Sequence, residues 1–579
     1  GFGDGGGGVN RDMLENRRRI DKIPGLPNLK TSTAAEYFRD LQETVKNTDQ
    51  YVHTWDGELY LEYHRGTYTS QAYNKRMNRK MELLYRNTEW LTVMNALKMG
   101  GLTYAKQEEL TKGWKHILTD QFHDIIPGSS IHEVYEDSRK DYEYIQSVAQ
   151  SVQEDALSHI IEDKKDCYTV FNASGWKRSE IVTVPNERAG IYRDEQGNEL
   201  DAQQAGTVTY VEVKDIPAMG TGTIIFEEKK AEETEAEFTI CGKNIETPYY
   251  SMSMNGYGQI TRLYDKTFAR DVLPKGERAN VFQMFEDKPL DNDAWDIDIF
   301  YQEKMREITD MTKFEVIECG PLQIHMEWNY MNSFIAQDMV LYRNTRRIDF
   351  RTTVDYHEQH QLLKVAFPVD IRSTFGTYDV QYGNVRRPNH WNTSWDQARF
   401  ESVAHRWADL SERNYGVSLL NDCKYGHDIK DNVIRMSLLK AATHPDHLQD
   451  QGMHEFTYAL LPHGGDFVEG RVVQEAYALN DPMLVVHGIS DLGYESFVRF
   501  DNDQIELDAV KKSEDGDYIV IRFHEFAGSA QNVTVYPGFH FKSWVECDLR
   551  ERPVGSVSQE KEIHLSMHAY EIKTVLVQL

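Results

Sequence analysis

The segment Gln121-Phe122-His123-Asp124-Ile125-Ile126-Pro127-Gly128-Ser129-Ser130 puts a His-Asp pair where a helical pattern ends and a Pro-Gly turn reverses the chain. An imidazole there either ligates a metal or caps helix carbonyls on the favourable end of the dipole, and both readings stand. No HExxH or HxH and no second nearby ligand completes a metal site around it. In Gly3-Asp4-Gly5-Gly6-Gly7-Gly8 glycines crowd one acid. Without GK[ST] or a preceding strand this is not a phosphate loop; it suits a loop lining a small polar ligand, or a flexible tail. Trp55–Gln71 is too rich in aromatics and charge for a plain linker and reads as a structured loop packed on a neighbouring domain. In Glu286–Asp298 and Asn421–Gly426 acids alternate with Trp or Tyr, which singles out Asp293, Trp295 and Asp422. Aromatic faces stack on pyranose C–H groups and carboxylates accept hydroxyl hydrogen bonds. Ordinary surface loops of an acidic protein have the same composition. The first of these segments lacks the glycine spacing of an EF-hand.

The elements that carry these residues fall into two regions. From about 30 to 160 the period is helical. Thr33 with Glu36 reads as a capping box ahead of Phe38, Leu41 and Val45. A second helix from near Ser70 aligns Met77, Met81, Leu84, Thr88, Leu91 and Met94 and stops at Gly100-Gly101. A third opens near Thr103 with Leu110, Trp114, Ile117 and Gln121. After the turn, Ser130 with Glu133 reads as another capping box, and Val134, Ser138, Tyr142, Ile145, Ala149 and Val152 form the last stripe. Long helices joined by short breaks predict an antiparallel bundle. Beyond about 165 the runs are β-rich and bounded by turn residues, as in Tyr168–Asn172, Val208–Val213, Arg347–Asp355, Leu362–Pro368 and Tyr518–Phe523. The charged stretch Lys229–Glu237 reads as a hairpin tip or linker. So long a β region predicts two or more sandwich domains.

Composition bounds the rest. At 579 residues the chain is too long for one core. Lys and Arg number 64 against 93 Asp and Glu, a net charge of −29, which argues against nucleic acid and anionic membranes as partners. No run approaches the ~20 apolar residues that span a bilayer. Five scattered cysteines with no CxxC fit a reducing compartment rather than a disulfide framework. The chain opens inside a glycine run, with neither Met nor an apolar signal region, so the expectation is that residue 1 is not the natural start and that sequence precedes it.

Taken in order, the segments resemble glycoside hydrolase family 38, the zinc-dependent α-mannosidases, in the branch with cytosolic, vacuolar and bacterial members. The resemblance rests on Gly3–Gly8, Glu58-Leu59-Tyr60 with His64-Arg65-Gly66-Thr67, and Gln121–Asp124. It continues through Arg387–Asp396, Trp407–Glu412, Tyr415-Gly416-Val417, Asn421–Gly426 and His454–Leu460. It implies a multidomain α+β chain: residues 1–28 as the end of an α/β catalytic domain, a three-helix-type bundle over 29–163, a β-sandwich domain over 164–240, a large β-sandwich domain over 241–490 and a C-terminal β domain over 491–579, the sandwiches being antiparallel. It further implies a Zn²⁺ site to which this chain gives His123, with Asp124 binding mannose hydroxyls and Asp4 as the acid/base candidate. The nucleophile and other ligands would lie upstream. The implied chemistry is retaining hydrolysis of α-mannoside oligosaccharides by two carboxylates roughly 5 Å apart. The family branch places such a protein in the cytoplasm, with a homo-oligomer left open. Two rival readings remain: a non-catalytic carbohydrate-binding or scaffold protein, and a glycosidase of other specificity or a mannoside phosphorylase on the same framework.

Overall fold

The computed structural model describes residues 7–229, 238–318, 321–490, 492, 493 and 495–579. The chain divides into two units, Gly1–Tyr60 and Leu61–Leu579. The first carries α1 (Arg11–Ile20) and α2 (Ala34–Lys46), neither of which buries a residue. Asn10 caps α1 by accepting the Met13 N–H, and Thr33 caps α2 by accepting that of Glu36. The Glu36 carboxylate turns instead to Lys30 and Ser32, so only half of the expected box forms.

The second unit opens with the bundle: α3 (Ala72–Met99), α4 (Gln107–Asp120) and α5 (His132–Ile160). Their stripes meet in a core of Met81, Tyr85, Leu110, Ile117, Tyr142, Ile145, Ala149 and Val152. Gly113 is required where α4 crosses Tyr85, because a Cβ there would fall 1.7 Å from the phenol oxygen. That oxygen passes through to donate to the Ile145 carbonyl at 2.8 Å. Gly100, at φ +89°, ends α3 and lets the Gly101 N–H reach the Ala96 carbonyl at 2.9 Å. The start of α3 is capped from far away: the Asp450 carboxylate accepts the N–H groups of both Gln71 and Ala72. α5 follows Ile131 with no side-chain cap, because the Ser130 hydroxyl is drawn to the Asp124 carbonyl. The box expected at Ser130 and Glu133 is therefore not made.

The remainder is antiparallel β structure. A nine-stranded sheet centred on Ile348–Tyr356 and Gly452–Gly464 faces a six-stranded sheet centred on Gln361–Pro368 and Val433–Lys440. Their inner faces form the largest core, with Phe350, Leu363, Met436, Tyr458 and Leu460. Leu322–Tyr330 alternates buried and less buried side chains, as a strand with one covered face must. A smaller sandwich pairs a five-stranded sheet containing Cys167–Asn172 with a three-stranded sheet containing Val208–Ile216. Its edge strand is Leu484–His487, which joins Cys167–Asn172 from within the segment assigned by sequence to the large sandwich. A third sandwich closes the chain, and the end of α3 from Trp90 to Ala96 packs into its core. α3 is thus shared by bundle and sandwich.

Candidate functional site

The turn after α4 is held from several sides. Asp124 adopts φ +67°, a left-handed conformation that Asp tolerates better than most residues. Its carbonyl accepts the Ser129 N–H at 3.1 Å, the Ser130 hydroxyl at 2.8 Å and the Tyr135 hydroxyl at 2.9 Å. One carboxylate oxygen, Oδ1, accepts the Ser129 hydroxyl at 2.7 Å. The other accepts no hydrogen bond among the described residues, and Asp124 is half-buried. The neighbouring His123 is exposed, lies against Phe122 with ring centroids 4.1 Å apart, and makes no hydrogen bond among the described residues. It caps no helix carbonyl, so the capping reading of this histidine has no contact to support it.

Ser70 links this turn to the acidic segment 287–298. Gly128 lies so close over Ser70 that a Cβ would fall 2.4 Å from its carbonyl oxygen, and the Ser70 hydroxyl donates to the Ala294 carbonyl at 2.6 Å. The Gly66 N–H donates to the Trp295 carbonyl at 2.8 Å. Trp295 is half-buried beside His444. Asp293 is buried and its carboxylate accepts the N–H groups of Thr443 and His444 at 2.7 and 2.8 Å, so it fixes the 443–445 loop next to Trp295. Across that loop, Asp446 accepts from His132 on α5 and from Gln71. Asp287 pairs with the fully buried Lys440.

His123, Asp124, Asp293 and Trp295 therefore belong to one connected region. Asp422 does not share these contacts. It exchanges hydrogen bonds with the Thr457 backbone at 3.0 Å and sits 3.3 Å from Lys80. Burial pushes its carboxyl up, but Lys80 and the Thr457 N–H outweigh that and hold it below the usual range. Asp4 lies outside the described residues.

Gln121 faces the other way. Its amide donates to Asn78 and Glu82 at 2.9 and 2.7 Å and borders a cavity of about 720 Å³ that Glu89, Trp114, Tyr382 and His405 also line. Burial dominates there, taking the Glu89 carboxyl up to about 7 and the His405 imidazolium down to about 3.

Sequence reasoning missed Lys75, Ser70, Tyr135 and Asp446, which hold the turn and its neighbouring loops. The available signal was a lysine near the helix start, followed four residues later by Arg79 on the side of α3 that turns inward.

Among the described residues no group of three or more His, Cys, Asp or Glu could hold a metal ion. These residues alone do not fit a zinc site. An exposed imidazole without a partner can supply one ligand to a centre completed by others.

Four models of one family match along the chain: the glycosyl hydrolases family 38 N-terminal domain over residues 1–58, the alpha mannosidase middle domain over 62–160, the family 38 C-terminal domain over 245–448 and its C-terminal beta sandwich domain over 504–575. The chain is 31% identical to alpha-mannosidase 2C1 of Homo sapiens over 611 aligned residues, covering 100% of this chain and 55% of that protein. It is 32% identical to alpha-mannosidase G of Dictyostelium discoideum, covering 99% of this chain and 57% of that one. The chain thus spans little more than half the length of these relatives. The crystal structure of an alpha-mannosidase from Enterococcus faecalis V583 superposes with a TM-score of 0.78 at 17% identity, covering 99% of this chain and 75% of that one. That likeness supports the multidomain arrangement of bundle and antiparallel sheets.

Proposed function

Because the chain belongs to glycoside hydrolase family 38, we propose that the protein hydrolyses terminal α-linked mannose from oligosaccharides with retention of configuration and requires Zn²⁺. The observation that carries this reading is the His123-Asp124 turn, where an unpaired imidazole stands beside a carboxylate with one oxygen fixed and the other available. In this reading Asp124 accepts a hydrogen from a mannose hydroxyl through that available oxygen, while Ser129 keeps the carboxylate from rotating. His123 supplies one metal ligand; the remaining ligands and the nucleophile come from residues outside this chain. Bound zinc supplies positive charge toward adjacent sugar hydroxyls. Trp295, half-exposed and backed by His444, offers an apolar face to the sugar ring. Asp293 supports that face by holding the loop behind it rather than by touching sugar. Asp4 is the acid/base candidate.

Three further readings go with this one. The protein works in a reducing, cytoplasmic setting, supported by the free thiols of Cys167, Cys241, Cys423 and Cys547. It has no nucleic-acid partner, in keeping with a net charge of −29. It is not membrane-embedded through helices, since none among the described residues is long and apolar enough to cross a bilayer.

The test is an aryl α-mannoside assay of the complete polypeptide that carries this chain, with and without chelation and zinc readdition. The anomer first released is followed by NMR. Turnover that needs the metal and releases the α-anomer is expected. No turnover with any divalent metal overturns the reading.

A further inference from the structure

Three backbone carbonyls converge on one amine at the base of the candidate site. Lys75 lies in the first turn of α3 and is 5% exposed. Its Nζ donates to the carbonyls of Ser70 at 2.5 Å, Ile126 at 2.8 Å and Pro127 at 3.3 Å. Two of these belong to the turn that carries His123 and Asp124. The third belongs to the residue whose hydroxyl holds the Trp295 loop through Ala294. Gly128 sits directly on Ser70, so turn and segment are already pressed together at the point the amine bridges.

We propose that Lys75 is a positioning residue: its ammonium ties the 122–130 turn to Ser70 and thereby sets Asp124 against the loop that presents Trp295. The proposal rests on the mannoside-hydrolase reading for its consequence, but the tie itself can be measured without it. Three carbonyl oxygens pointing at one place in a buried site repel one another and lose water, so they need a donor with three hydrogens. An ammonium has three, and here every one has a carbonyl acceptor. No smaller or neutral side chain can serve all three.

The charge is held against its surroundings. Burial pushes the Lys75 ammonium down to about 7, with Asp450 on the neighbouring loop favouring the charge and Lys424 opposing it. Opening the turn returns the amine to water and to its ordinary 10.5, so raising the pH above about 7 favours the closed turn.

Hydrogen exchange on the whole chain tests this. In Lys75→Met, amides of 122–131 are expected to lose about tenfold or more protection beyond whatever those of 138–152 in α5 lose. Unchanged protection at 122–131, or a loss spread evenly over the bundle, overturns the proposal. A second measurement follows pH. Protection of 122–131 in the unsubstituted chain, corrected for intrinsic rates, is expected to rise relative to that in Lys75→Met between about pH 7 and about pH 9, because the closed turn holds the amine near 7 and opening returns it to 10.5. The same pH profile in both chains also overturns it. In the complete enzyme, if Lys75 acts through the turn, adding Lys75→Met to Asp124→Ala costs little beyond Asp124→Ala alone; full additivity refutes that route. Absence of mannosidase activity in the unsubstituted enzyme would remove the proposed function and leave the exchange results to judge the tie.

Discussion

Gly128→Ala and Gly100→Ala make a matched pair. Both glycines have φ +89°, and both lie at helix–turn junctions of the bundle, so placing alanine at either should cost the same left-handed backbone strain, about 1–2 kcal/mol. They differ in what the added methyl meets. At Gly100 nothing lies within 4 Å. At Gly128 the new Cβ would stand 2.4 Å from the Ser70 carbonyl oxygen and 2.6 Å from its carbon, backbone atoms that cannot swing aside like a side-chain end. Ordinary contact requires about an ångström more. The turn and Ser70 must separate, stretching the hydrogen bonds from Lys75 and the one from Ser70 to Ala294. Overpacking of this kind adds about 1–3 kcal/mol. The expected total is about 1–2 kcal/mol for Gly100→Ala and about 2–5 kcal/mol for Gly128→Ala. Native-state hydrogen exchange of the α5 amides from Tyr142 to Val152 gives the opening free energy of the bundle without requiring the whole chain to unfold in one step. In the complete enzyme, Gly128→Ala should also depress kcat/KM for an aryl α-mannoside, and Gly100→Ala should not. Equal losses in the two variants would mean that the turn does not press on Ser70, and the connection drawn between His123-Asp124 and Trp295 would fail.

The pH dependence of stability gives a separate test. Burial raises the Glu89 carboxyl to about 7, and the Trp114 indole N–H at 2.9 Å and the more distant Lys511 do not restore it, while Glu514 opposes ionisation further. The folded chain keeps a proton there that the unfolded chain gives up near 4.5, so this group's contribution is complete at low pH and is lost as pH rises through about 7, roughly 3 kcal/mol in all. Glu89→Gln has no proton to lose, so its stability relative to the parent should improve between pH 5 and pH 8 in thermal melts; an unchanged difference refutes the assignment. In the complete enzyme, His123→Ala should come out zinc-poor, whereas Asp124→Ala should keep its metal and turn over roughly 10²–10³-fold more slowly, the worth of a buried hydrogen bond to a charged group. Normal metal content and activity in His123→Ala would remove the one ligand this chain supplies. Arg86 donates to the carbonyls of Ala173, Leu507 and Asp508, so Arg86→Met should strand buried acceptors and cost about 3–5 kcal/mol, seen as faster exchange in Ile505–Lys512. Unaltered exchange there would show that the bundle and the last sandwich are held together by other contacts.

The helices α3 to α5 were legible because apolar residues recur every three or four positions and because Gly100-Gly101 and Pro127-Gly128 mark the breaks between them. The strands were legible where alternation was strong, as from Ile348 to Tyr356. What could not be read was decided by partners distant in sequence. Nothing in Leu484–His487 says that it completes a sheet begun more than 300 residues earlier. Ser130 has the right neighbour for a capping box, yet its hydroxyl goes to Asp124 because the preceding turn brings that carbonyl closer. The acidic-aromatic pattern drew attention to Asp293 and Asp422 alike. Composition could not tell that both carboxylates would be taken by backbone N–H groups, of Thr443 and His444 in one case and Thr457 in the other. Among the described candidates, His123, Asp124 and Trp295 keep a surface that a ligand could use.

Partners distant in sequence also account for the cations on the inward side of α3. Lys75, Arg79 and Arg86 follow one face, and each spends its hydrogens mainly on oxygens of other elements. Lys75 holds the turn before α5. Arg79 holds Asn421, His405 and Tyr425 of the large sandwich, and Arg86 holds the first and last sandwiches together. A sequence pattern assigns such residues to solvent, because burying a charge is costly unless every hydrogen finds an acceptor. Here many of the acceptors are backbone carbonyls, such as those of Pro127, His405 and Ala173, joined by side-chain oxygens of Asn421, Tyr425 and Tyr477. Apolar packing alone tolerates small slips of one element along another. A guanidinium or ammonium bonded to three or more oxygens in different segments does not, since sliding α3 breaks all of them together. A site built from a bundle turn and a sandwich loop needs that rigidity, because a displacement of about an ångström between Asp124 and Trp295 would be felt by any ligand touching both. Under the proposed reading Lys75 ties the turn to Ser70, while Arg79 and Arg86 fix α3 against the sandwiches.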